Sequence, residues 1–159
     1  MGRWCDLGSA TGHVVCRASD YSEVASWLYN WVPMATIEVK PICDDDVARE
    51  IVLGKPPSYS VGYEGVSREA EVGETLFAIE YAFYQDKRVA GSKNFANLTR
   101  EQDQADAGAC RAMGRWHDLG TGTGFAVAAA KSEGDVYAWA NNWASMCRGN
   151  STSRDRLLH

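Results

Sequence analysis

The eleven residues at 114–124, GRWHDLGTGTG, recur at 2–12 as GRWCDLGSATG, and this duplication constrains the chain more than any other feature. The match runs on at the same offset, aligning Val15 with Val127, Val24 with Val136, Trp27 with Trp139, Asn30 with Asn142, Trp31 with Trp143 and Met34 with Met146. Both copies must take the same local fold, so the architecture is that of a repeat.

A chain of 159 residues can bury one sizeable core or two small ones packed together. The net charge of −5 is spread without a Lys/Arg cluster, which argues against a nucleic-acid backbone or an anionic membrane as partner. The apolar runs are shorter than the roughly 20 residues that cross a bilayer, and the opening residues do not read as an export leader. Five scattered cysteines without C-x-x-C spacing suggest reduced thiols in a cytoplasmic protein. The three histidines do not cluster with them, so no metal site and no cofactor is expected.

Residues 3–7 and 13–18 read as a hairpin, followed by a helix capped by Ser19 or Asp20 with Val24, Trp27, Leu28 and Trp31 at helical spacing. Residues 35–42 alternate like a half-buried strand, and Asp44, Asp45 and Asp46 can cap a short helix through Val52. Residues 75–84 form the strongest strand pattern, with Phe77, Ile79, Tyr81 and Phe83 on one face. A loop holding Gly91 and Ser92 comes next, then a helix through Ala112 signalled by the capping box of Thr99 and Gln102. The hairpin motif returns at 114–130, and Ser132 opens a helix bearing Val136, Trp139, Ala140 and Trp143.

Overlaying the copies gives strand, helix, strand, strand, helix, strand, the split βαβ or ferredoxin-like order. The expected organisation is a first partial repeat at 1–53, a linker at 54–73, a second repeat at 74–147 and a polar tail at 148–159. On this reading the second copy lacks its closing strand, and residues 35–42 pair with 75–84 to supply it.

The GRWHDLG run and the W-x-x-N-W helix resemble small uncharacterised ferredoxin-like proteins of the dimeric α/β-barrel type. The resemblance is near-continuous over 75–146 and partial over 2–52. It implies an α+β fold of antiparallel sheets with helices on one face, closed within one chain or by homodimerisation. It does not choose among isomerases, monooxygenases, haem-handling proteins and members with no assigned activity.

Alternation along 114–120 puts Arg115, His117 and Leu119 on one face and Trp116 and Asp118 on the other. If Trp116 joins the aromatic stripe of the covering helix, Phe77, Ile79, Phe125 and Val127 also face the helices. Glu80 then shares the open face with Arg115, His117 and the small residues Gly124, Ala126 and Ala128. This predicts a cleft in which His117 and Glu80 are the candidate catalytic groups, with Arg115, Arg3, Trp116, Trp139 and Asn142 as candidate ligand contacts. The structural alternative is that these groups only satisfy buried polarity where two sheets meet. The glycine-rich run at 120–124 joins two strands, so it reads as a hairpin turn and not a phosphate cradle. Asp118 and Asp6 read as turn stabilisers. The function expected is binding of a small molecule or a role in assembly; the alternative is a cofactor-independent isomerase or monooxygenase using His117.

Overall fold

The structure, a computed structural model, describes residues 2–61 and 69–151. The chain divides into two compact units, Met1–Lys40 and Pro41–His159. In the first, β1 (Gly2–Asp6) and β2 (Thr11–Val15) form an antiparallel hairpin with Trp4 opposite His13 and Cys5 opposite Gly12. The Asp6 carboxylate accepts the N–H groups of Gly8 at 2.9 Å and Ser9 at 3.3 Å, which closes the turn. Asp20 caps α1 (Tyr21–Tyr29) by accepting from the N–H groups of Ser22 and Glu23. The expected aromatic stripe is present, but no residue of α1 is buried, and Trp27 and Trp31 remain 38% and 42% exposed.

Residues 35–42, expected to be a strand, form none. Their alternation has no neighbouring strand to bond to, and Ile37 and Val39 stay exposed.

The second unit opens with the short β3 (Cys43–Asp44) and α2 (Asp45–Leu53), capped by Asp44 through the Val47 N–H. Then come β4 (Thr75–Phe83), a 3₁₀ turn (Gln85–Lys87), α3 (Arg88–Asn97) and α4 (Arg100–Ala107). The motif hairpin follows as β5 (Arg111–Asp118) and β6 (Thr123–Ala130), then α5 (Glu133–Asn142) and β7 (Cys147–Ser151). The five strands lie in the order β3-β5-β6-β4-β7, every neighbouring pair antiparallel. The sheet is open, with β3 and β7 at its edges, so this unit is α+β and not a closed barrel.

Three expectations are corrected here. The closing strand exists: β7 pairs with β4 from Cys147, so the polar tail begins with a strand and the slot assigned to 35–42 is taken. Residues 152–159 of that tail and 62–68 of the linker lie outside the described residues. Where a loop was expected, α3 forms, and Gly91 is what lets it pack, because a Cβ there would strike the Phe83 ring. The capping box of Thr99 and Gln102 is made as expected, but α4 stops before Gly108, whose φ of 60° leaves the helical region.

Ile79 of β4 and Ala126, Ala128 and Ala130 of β6 form one core with Ala107 of α4 and Val136 and Trp139 of α5. A second cluster joins Ala48 of α2 to Phe95 and Ala96 of α3, with Cys43 and Trp143 against it. Among the described residues, no helix is long and apolar enough to cross a membrane.

Candidate functional site

The pairing register decides which side chains meet the helices. Directly opposed residues share a face, and one cross-strand row reads Cys43, His117, Gly124, Tyr81, Gly149. The next row on that side is Arg115, Ala126 and Ile79, and Ala126 and Ile79 belong to the helix-covered core. His117 and Arg115 therefore lie beneath the helices, and the row between them, Asp44, Trp116, Phe125 and Glu80, faces away. This reverses the expected assignment. Trp116 does not join the helical stripe; it stacks on Phe125 with centroids 4.9 Å apart. The open-face cleft containing Glu80 and His117 does not exist.

The premise that fails is that Trp116 follows the aromatic stripe of the covering helix, since it is Arg115 that shares a face with Ala126 and Ile79 of the helix-covered core; β5 also carries a bulge before this motif. Ala112 pairs with Ala128 but Gly114 pairs with Val127, so Met113 is an extra residue in β5. Alternation counted across it slips by one, so 111–112 fall out of phase with 114–118.

On the helical side His117 and Arg115 join a buried polar network. Asp45, the first residue of α2, is 1% exposed; one oxygen accepts from Arg115 Nε at 2.9 Å and Nη2 at 2.6 Å, and the other lies 2.5 Å from His117 Nε2. Arg115 also grips Asp103 of α4 with two parallel bonds of 2.8 and 2.7 Å. Asp103 accepts in turn from Tyr59 Oη at 2.9 Å and Arg49 Nη2 at 3.4 Å. The Arg49 guanidinium, wholly buried, lies 4.4 Å from the Phe95 ring centroid and 4.9 Å from that of Tyr59, and Arg115 lies 5.2 Å from Phe95. Among the described residues, two carboxylates meet two guanidiniums in this network.

Burial alone would raise the Asp45 carboxyl, but the Arg115 charge and the His117 hydrogen bond outweigh it, and its pKa falls below the ordinary 3.8. Tyr81 and Tyr59 are both pushed up, by burial first and then by the charges of Asp45 and Asp103 respectively, so both phenols keep their protons. Tyr81 Oη bonds to His117 Nδ1. In the neutral imidazole, with Asp45 ionised and Tyr81 protonated, these partners place the proton on Nε2 and make Nδ1 the acceptor of the Tyr81 hydroxyl. Gly124 stands between the two in the cross-strand row, and a Cβ there would overlap the Tyr81 hydroxyl. The small residue is what allows the phenol to reach across β6.

This array forms one wall of a cavity of about 90 Å³. Tyr81, His117 and Arg115 line it together with Ile79, Phe83, Phe95, Ala126, Trp139, Ala140, Trp143, Cys147 and Gly149, so the rest of the lining is apolar. The two indoles are fixed from behind: a single Asp106 oxygen accepts from Trp139 Nε1 at 2.9 Å and Trp143 Nε1 at 2.7 Å. Asn142 Nδ2 donates to the Asp106 carbonyl at 3.0 Å, so the whole W-x-x-N-W motif is read by one residue of α4.

Of the residues singled out in the sequence, His117, Arg115 and Trp139 come together at this cavity. Glu80 and Trp116 lie on the opposite face of the sheet, Asn142 serves the Asp106 contact, and Arg3 belongs to the first unit. Asp118 holds the turn as expected, accepting from the Thr121 N–H at 3.2 Å. Sequence reasoning missed Asp45, Asp103, Arg49 and Tyr59 as members of the network. One signal was available: one aspartate suffices to cap α2, and three stand in a row. Asp44 takes the cap, Asp46 holds Ser60 and Val61, and Asp45 turns inward.

No curated protein and no solved structure matches this chain. The family described as a domain of unknown function, DUF3303, matches residues 1–55 and 75–152, two stretches that fall on the two copies of the repeat. The chain therefore belongs to the DUF3303 family, whose description assigns no function.

Proposed function

We propose that this protein binds a compact, mostly apolar small molecule carrying one polar oxygen in the cavity beneath α5. The observation that carries this reading is the meeting of a buried, charged network with an otherwise apolar cavity wall at Tyr81 and His117. Buried ion pairs add little stability over apolar packing of the same volume, so a cluster of them on a cavity wall favours a role toward a ligand. The same network also ties α2 and α4 to β5 through Asp45 and Asp103. That scaffolding holds the wall rigid. Apolar cavities of about 150 Å³ admit benzene, so this half-open space of about 90 Å³ takes about four heavy atoms, with the rest of a small ring at its mouth.

The ferredoxin-like reading of the second unit is supported by its strand order, in which β5 and β6 form a hairpin and β4 lies between β6 and β7. A reducing, cytoplasmic setting is supported by five cysteines that are all free thiols.

Cyclopentanone, with six heavy atoms and one acceptor oxygen, is a fitting probe. Titration should shift the indole N–H resonances of Trp139 and Trp143 saturably, and Ala140→Leu, which fills part of the cavity, should weaken binding about tenfold. Unchanged indole resonances at saturating probe would overturn the proposal.

A further inference from the structure

We infer that Tyr81, His117 and Asp45 form a proton relay that deprotonates the carbon next to a carbonyl in the bound molecule, which makes the cavity a site of enolisation. The inference rests on the binding reading above. Both ring nitrogens of His117 are engaged, Nε2 by Asp45 and Nδ1 by Tyr81, so the imidazole can reach a ligand only through the Tyr81 oxygen. That oxygen gives its own proton to Nδ1 and keeps acceptor capacity for another.

The step balances without any further reagent. The C–H bond breaks and its electron pair becomes the enolate C=C, while the carbonyl π pair moves onto oxygen. The carbon's proton goes to Tyr81 Oη as the Tyr81 proton passes to His117 Nδ1. The imidazolium so formed is held by the Asp45 carboxylate, and the enolate's negative charge arises in the same cavity whose wall carries Arg115. Reversal returns a proton to carbon, at the original position or, in a conjugated ketone, at a different one. A Tyr81 hydroxyl without His117 would have no place to send its proton, and a His117 without Asp45 would carry an uncompensated buried charge. Tyr81 is thus the catalytic residue, and His117 and Asp45 position and sustain it.

The test is exchange of the α-hydrogens of cyclopentanone for deuterium in D₂O, followed by proton NMR with the full-length protein. Exchange should saturate with probe and exceed buffer at least about 100-fold. At saturating probe, Tyr81→Phe and His117→Gln should both fall to the buffer rate. The concentration giving half-maximal indole shift should move about tenfold or less, separating turnover from binding. Tyr137→Phe, an exposed tyrosine of α5 bonded to Glu133, should exchange like the wild type. Binding of cyclopentanone with exchange no faster than buffer would overturn the relay and leave the binding reading standing. Exchange that survives Tyr81→Phe would also overturn it, and failure of the probe to bind would remove both.

Discussion

Asp45 is the residue on which the polar network turns, because among the described residues it is the one carboxylate that holds both Arg115 and His117. Replacing it with asparagine leaves the size unchanged but removes one of the two carboxylates that hold the buried Arg115 guanidinium. Asp45→Asn should therefore cost about 3–5 kcal/mol, measured by urea unfolding at neutral pH. The sign of the pH effect follows from the lowered pKa. Asp45 contributes fully above its unfolded value near 3.8, and the contribution is lost as pH falls through the still lower folded value. The wild type should thus lose stability steeply below about pH 4, and the variant should lack that part of the slope. Tyr59 and Tyr81 add no titration near neutrality, since burial keeps both phenols protonated.

Among the elements, α4 and α5 are joined by Asp106, whose single oxygen serves both indoles. Asp106→Ala should cost about 1–3 kcal/mol for each indole left without an acceptor, read from the urea midpoint. Probe binding should weaken with it, because Trp139 and Trp143 line the cavity. The elements with strong local signals were legible in the sequence: both motif hairpins, the capped starts of α1, α2, α4 and α5, and the long strand β4. Those without them were not. Gly91, Ser92, Asn94 and Asn97 carry no helical period, and α3 is helical because Phe95, Ala96 and the Phe83 contact hold it. Cys147–Ser151 is a strand because β4 offers an edge, which no property of those five residues announces. The reverse holds for 35–42, where alternation without an edge gave no strand. At the site, His117, Arg115 and Trp139 were legible as residue types, but their face was not, and Asp45 was hidden inside what read as a cap.

For the molecule as a whole, the two copies of the repeat share a hairpin register but not an environment. Trp4 stands opposite His13 and Cys5 opposite Gly12, as Trp116 stands opposite Phe125 and His117 opposite Gly124. Yet α5 buries Val136 and Trp139, while α1 buries nothing. Local opening energies should differ accordingly, with amides of α1 exchanging hydrogen orders of magnitude faster than those of β5 and β6, as measured by mass spectrometry. Cys5 stands in the first copy where the second has His117, so the relay inferred above is a property of the second unit alone.

The extra residue in β5 gives this molecule an unusual genetic sensitivity. Because Met113 is the residue by which 111–112 fall out of phase with 114–118, loss of that one codon would turn Arg111 and Ala112 to the opposite faces while the turn at 118–123 keeps Trp116 and His117 where they are, with the motif's letters untouched. Spelling can drift along this strand more safely than length can.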